Sequence, residues 1–325
     1  MRTLPFLATP APSVAVEIAP RRVAAISLAF HGGVPVIGSH ASEPLPAGAV
    51  VPALNAANIP DRATVAQALG RLFGRLGLRP RRIALVIPDS VAKVSILRFD
   101  NVPASPRDLD QLIHWHVRKA APFRIEDAQV TYARGAAAEG GARDFIVAVA
   151  RRDVVQEYEQ ACLDAGATAG LVDLATFDLI NAVLASERPP AGDWLLVNVT
   201  PEYSTMGILR GADLIFFRNR VEEGDGNLAD LVHQTAMYYE DRLSGRAFDR
   251  VVLSGAVGSA GVGGGAPAAS ADQIRQSLET RLGVHVETID PKKLATFADR
   301  IAVDATLVNT VAPLLGVLLR ERVSR

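Results

Sequence analysis

Apolar positions along the chain follow two rhythms, and the switches between them mark its elements. Residues 13–28, SVAVEIAPRRVAAISL, place two β-branched apolar runs on either side of APRR, the pattern of a hairpin. VIGSHASEPL predicts a third strand. Over 61–78, DRATVAQALGRLFGRLGL, the spacing turns helical. Asp61 is placed to cap that helix, and Val65, Leu69, Leu72, Leu76 and Leu78 fall largely on one face. RRIALVIPD then reads as a buried strand, so the order is that of an α/β unit.

VAKVSILRFD predicts another strand, and Ser105-Pro106 opens a helix with Leu109, Leu112, Ile113 and Val117 on one side. AQVTYARG and RDFIVAVA pair as strands across a Gly/Ala-rich loop, which makes 91–150 a small β-α-β-β insertion. A helix closed by Gly166, the strand AGLVDL and the helix ATFDLINAVLAS follow, and ERPPAG, 187–192, is a linker. The opening pattern then returns. DWLLVNV and YSTMGILR flank TPE, DLIFFRNRV adds a third strand, a long helix follows, and RVVLSGAV closes the unit. Both halves read β-β-β-α-β. GSAGVGGGAPAAS, 258–270, is low-complexity and predicts a surface loop.

Composition narrows the function. With 34 Lys and Arg against 35 Asp and Glu, the chain has no general attraction for nucleic acid or anionic lipid, and 6% aromatics do not make a base-stacking platform. Cys162 is the single cysteine, on the core side of its helix, which rules out an internal disulfide and a cysteine metal site. The proline-broken opening residues are a poor signal peptide, and the apolar C-terminal stretch, with Pro313 inside it, predicts a buried helix rather than a membrane span. His114 and His116 stand two apart and do not share a helix face, the other histidines are scattered, and no metal site is expected. No hydrolase, metalloprotease or P-loop motif occurs.

The first hairpin sits where several nucleotide-binding folds hold a phosphate. Glu17 takes an acidic place, Pro20 removes a backbone donor, and Arg21 and Arg22 are either phosphate donors or solvated turn residues.

The two halves, each opening with a hairpin, resemble the actin-like ATPase superfold. LDQLIHWHVRKAAPFRIEDAQVTY, DFIVAVARRDVVQEYEQACLDAGATAGLVDLATFDLINAV, YYEDRLSGRAFDRVVLSGAVG and NTVAPLLGVLLR, in this order and spacing, resemble the type IV pilus assembly protein PilM family. Its relatives are the cytoplasmic region of type II secretion GspL and MSHA biogenesis proteins. The resemblance implies an α/β, actin-like two-domain fold. Residues 13–90 with 151–186 form the first domain, 91–150 the inserted subdomain, and 193–325 a second domain with a reduced upper part.

It also implies a nucleotide cleft, which this sequence alters. Asn198 stands where an acid is expected and cannot help place a hydrated metal ion. Thr200, Ser204 and Thr205 are either phosphate donors or ordinary hairpin residues. Gly255-Ala256, followed by Gly258, replaces a Gly-Gly turn against adenosine. After GADLIFFRNRVEEGDGN the chain enters its long helix without the helical pair that walls the adenine pocket. The expected cleft is a remnant formed by Glu17, Arg21, Arg22, Asn198, Thr200, Ser204, Thr205, Gly255 and Gly258, with no catalytic residue and at most weak ATP or ADP with Mg²⁺. The resemblance implies a cytoplasmic scaffold, peripheral to the inner membrane. Its partner is the N-terminal tail of a PilN-like single-span membrane protein, seated between the first domain and the insertion. Phe99, Trp115 and Phe123 are candidate contacts or core residues. An ATP-binding switch with slow hydrolysis is the alternative, and a sugar-kinase-like enzyme a third, disfavoured by the lack of a catalytic Asp.

Overall fold

The computed structural model describes residues 12–186, 192–221, 228–255, 271–298, 301 and 305–323. Strands β1 (Val14–Ala19), β2 (Arg22–His31) and β3 (Val34–Pro44) form an antiparallel meander. Helix α1 (Arg62–Leu76) follows and leads into β4 (Arg82–Ile87), parallel to β1. Asp61 caps α1 by accepting from the Thr64 backbone N–H and hydroxyl, and Gly77 ends it in the left-handed conformation at φ 66°.

The insertion is β5 (Ala92–Phe99), α2 (Pro106–Arg118), β6 (Ala128–Ala137) and β7 (Arg143–Arg151), a three-stranded sheet in the order β5-β7-β6. Its own core holds Leu109, Ile113 and Val117 from one face of α2 against Phe145, Val147 and Val149. The chain returns through α3 (Arg152–Asp164), β8 (Thr168–Leu174) and α4 (Ala175–Ser186).

The second half repeats the plan. It runs through β9 (Asp193–Val199), β10 (Tyr203–Arg210), β11 (Asp213–Val221), α5 (Leu228–Leu243), β12 (Arg250–Ser254), α6 (Ala271–Leu282) and β13 (Val286–Thr288). Its sheet order, β11-β10-β9-β12-β13, matches β3-β2-β1-β4-β8 of the first half strand for strand. The β1, β4, β9 and β12 segments are near-continuous apolar runs because both faces of each sheet are covered.

The last segment departs from the grouping of 193–325 as one unit. Strand β14 (Thr296–Phe297) adds in parallel to β3 of the first sheet, and helix α7 (Ala305–Val323) packs on α4, β1, β2 and β4. One core therefore spans both halves, with Ile26 and Leu179 from the first, Trp194 and Leu196 from the second, and Val311 and Leu315 from α7. The apolar residues of α7 are buried in the seam between the sheets. Strands β13 and β14 are too short to show a period, whereas α6 shows one, Ile274, Leu278 and Leu282, that the sequence reading missed.

Helices α4 and α7 approach so closely that only glycine fits at the crossing: a Cβ on Gly316 would lie 1.7 Å from the Asp178 carbonyl oxygen. Gly316→Ala should lower stability by about 1–3 kcal/mol, because backbone cannot yield as a side chain does. Gly70→Ala, on the exposed face of α1 with nothing within 4 Å of its Cβ position, should instead raise stability by about 0.5–1 kcal/mol. Chemical denaturation of both variants checks the contrast.

Candidate functional site

The turns of the two hairpins, β1–β2 and β9–β10, face each other across a cleft of about 360 Å³, at the small end for a ligand pocket. Glu17, Arg21, Arg22, Asn198, Thr200 and Gly255 all line it. Ser204 and Thr205 do not; both are fully buried beneath it. Gly258 lies outside the described residues.

The backbone donors of the second turn are already engaged. Thr200 closes the second turn: its N–H donates to the Tyr203 carbonyl at 2.9 Å, and its hydroxyl oxygen receives the N–H of Glu202 at 3.3 Å and of Tyr203 at 3.0 Å. Pro201 has no N–H to give. On the first hairpin, Arg22 Nη2 donates to Glu17 at 2.8 Å. Arg21 reaches across the cleft to Glu202 at 3.1 Å and links the two halves at the mouth. Arg22 Nε is buried without an acceptor among the described residues. Gly255 is dictated by the backbone: its φ is +87° and a Cβ there would meet the Val199 carbonyl oxygen at 2.1 Å. The segment where the helical pair is expected to be missing, residues 222–227 between β11 and α5, lies outside the described residues.

Beneath the cleft lies a residue that the sequence reading did not single out. Asp89 follows β4 in a 3₁₀ turn (Asp89–Val91) and is fully buried. One oxygen accepts the Thr176 backbone N–H at 2.9 Å at the start of α4. The other accepts the Thr176 hydroxyl at 2.5 Å, the Thr205 hydroxyl at 2.8 Å and, more weakly, Asn198 Nδ2 at 3.4 Å. Asn198 Nδ2 also donates to the Thr176 hydroxyl at 3.0 Å, and Asn219 Nδ2 donates to Thr205 at 2.8 Å. Asp89 and Thr176 belong to the first half, and Asn198, Thr205 and Asn219 to the second. A single carboxylate therefore ties the halves together, and one of its donors is Thr205, which the sequence left open between a phosphate donor and an ordinary hairpin residue. Burial raises the Asp89 pKa, and the hydrogen bonds from Thr176, Thr205 and Asn198 oppose that rise. The PDS after an apolar strand was the available signal: an acid at a strand end inside a repeated α/β unit.

Two further acids lie nearby. Asp178 in the first turn of α4 is fully buried, and neither carboxylate oxygen has a hydrogen-bond partner among the described residues. Burial first, then the neighbouring Asp173, pushes it well above the usual carboxylate range. Asp173 at the end of β8 is pushed up to about 6, chiefly by burial. No grouping of three or more metal-binding side chains occurs among the described residues.

A second depression, of about 260 Å³, runs between the first half and the insertion. One wall is β8, the edge strand of its sheet, along residues 169–174. The facing wall is one face of the small sheet, where Gln129 pairs with Ala150 and Thr131 with Ala148. Val155, Glu159 and Phe177 complete it. The aromatic candidates are not in it. Phe99, 6% exposed, is a core residue of the insertion, in ring contact with Phe145 and His116. Phe123 is half-buried against the same core. Trp115 is 58% exposed on α2, with Lys119 Nζ 5.0 Å from its ring centre. The small-sheet face of the groove is lined by Ala92, Ala148 and Ala150, and apolar periodicity does not distinguish a groove alanine from a core one.

Two halves of identical strand order, meeting at paired hairpins and fused by a pair of helices, define an actin-like protein. A Bacteroides thetaiotaomicron protein described as having an actin-like ATPase fold superimposes with a TM-score of 0.50 at 10% identity, over 97% of this chain and 98% of that one. The structure titled PilM-PilN type IV pilus biogenesis complex superimposes with a TM-score of 0.77 at 16% identity, over 97% of this chain and 99% of that one. The family model of the type IV pilus assembly protein PilM matches residues 15–250, and the chain belongs to that family.

Two substitutions separate the buried acids. Asp89→Asn presents an NH₂ to donors that need an acceptor and should cost about 2–4 kcal/mol in denaturant unfolding. Asp178→Asn should act oppositely. The native state binds the Asp178 proton more tightly than the unfolded chain does. The pH-dependent part of its cost is therefore absent below its unfolded pKa and grows as pH rises from there towards its raised native pKa. Asp178→Asn should stabilise by about 1–3 kcal/mol at pH near 8, with the gain shrinking towards pH near 4. Melting curves across that range check the sign.

Proposed function

We propose that the protein is a non-catalytic, cytoplasmic scaffold of an inner-membrane assembly platform for a type IV pilus or a related secretion machine. Its role is to hold the N-terminal tail of a PilN-like, single-span membrane protein in the groove between the first half and the insertion. The observation that carries the non-catalytic reading is the closed cleft. Asp89 and the Arg21–Glu202 pair join the halves where an actin-like ATPase has its nucleotide, and the second turn has no N–H left for phosphate. Asn198 donates to Thr176 and Asp89 and offers no carboxylate for a metal.

The open groove supports the partner. Edge strand β8 offers main-chain groups to an extended peptide, and the alanine-lined sheet face leaves room for its side chains. A relative of the same fold is titled as a complex with PilN. No helix among the described residues is long and apolar enough to cross a membrane, which agrees with attachment through a partner that does. One observation favours the second reading, an ATP-binding switch: the cleft between the hairpins keeps its volume, and Arg22 Nε faces no acceptor.

Titration calorimetry with ATP and Mg²⁺ separates the readings. Binding should be absent or weaker than micromolar; a submicromolar dissociation constant selects the switch. Ala148→Phe fills the groove from the face of the small sheet. It should weaken binding of a synthetic PilN-like tail at least roughly tenfold, with the thermal unfolding transition retained. Undiminished peptide affinity in that variant places the partner elsewhere.

A further inference from the structure

The groove has a charge preference as well as a shape. Among the described residues lining it, the titratable side chains are Glu159 on α3 and Asp173 on β8, both acidic. The ion pair that reaches them among the described residues is a long one. Arg320 on α7 approaches Asp173 Oδ2 only to 3.7 Å and is itself 41% exposed, a loose pair of little worth in competition with a better donor. Arg82 lies over Gly170 and donates to its carbonyl, and Arg152 donates to the carbonyl of Ala128. Asp173 Oδ1 accepts the Leu174 N–H at 2.9 Å, which fixes the carboxylate and leaves Oδ2 with no contact closer than Arg320.

We infer that Asp173, aided by Glu159, is the specificity-determining residue of this groove, and that the groove selects an extended peptide carrying a lysine or arginine among small apolar anchors. This rests on the groove being the peptide site. The edge of β8 fixes the register of the peptide main chain, the face of Ala148 and Ala150 takes its apolar side chains, and the carboxylate at the end of the strand reads one cation. An acidic or neutral residue at that register leaves Asp173 partly desolvated without a partner, so the charge discriminates against wrong peptides more than it adds affinity. An extended chain alternates its side chains, so the cation and the anchors on the small-sheet face stand at positions of opposite parity.

The test uses the full chain and synthetic copies of the N-terminal tail of the PilN-like protein from the same genome. Each position in turn carries Lys, Gln or Glu. Fluorescence polarisation at low and high salt reads affinity. One position should prefer Lys to Gln roughly tenfold, and Gln to Glu, with the preference shrinking in salt. Asp173→Asn should remove most of that preference while leaving the Gln peptide's affinity within about twofold, and Glu159→Gln should remove a smaller part. Asn keeps the Leu174 contact and relieves a buried charge, and a melting curve verifies its fold. Peptides that bind without regard to charge, or a preference unchanged in Asp173→Asn, overturn this assignment alone. Failure of every peptide to bind overturns the groove as the peptide site, and the assignment with it.

Discussion

A single buried carboxylate holds the two halves of this fold in register. Asp89 is removed from water entirely, and the idealised penalty for burying an uncompensated carboxylate exceeds the stability of a whole domain. It persists because Thr176 and Thr205 donate to it from opposite sides of the cleft, with Asn198 behind them. Each such bond to a charged group contributes about 1.5–3 kcal/mol, and those from Thr205 and Asn198 form only when the second hairpin is docked on the first half. The helix crossing at Gly316 and the mixed core of α4, α7 and both sheets fix the same relation from the other face of the molecule. Separating the halves would break both at once.

That arrangement changes what an actin-like architecture can do. In such a fold a nucleotide can bridge the halves by offering its phosphates to the turns of the two hairpins. Here the turns are bridged by the chain itself, through Arg21 and Glu202 at the mouth and Asp89 beneath. In a cleft whose halves are already joined by its own side chains, a ligand competes with internal donors for the same groups. The groove beside the insertion is independent of this closure. It is built from the edge of β8 and the placement of the small sheet, and shares no lining residue with the cleft between the hairpins.

Much of the fold was legible because apolar period and local caps agree. Asp61, Ser105 and Gly166 mark their helix ends as the sequence implies, and the doubled strand–strand–strand–helix–strand order is visible in residue spacing. The C-terminal return was not legible: β14 is two residues long, and its pairing with β3 joins positions some 260 apart. The site was half legible. Glu17, Arg21, Arg22, Asn198, Thr200 and Gly255 do converge, but Asp89 was hidden because its partners lie 87 to 116 residues away. Phe99 misled because an aromatic in an apolar strand reads alike whether it faces a core or a partner.

The central claim is that the cleft is held shut by protein alone. The direct measurement is hydrogen exchange at the Asn198 side-chain amide, which donates across the halves to Thr176 and Asp89, with and without ATP and Mg²⁺. The account predicts strong protection in the nucleotide-free protein and no change on addition. Fast exchange without nucleotide, slowed when ATP and Mg²⁺ are added, would contradict it.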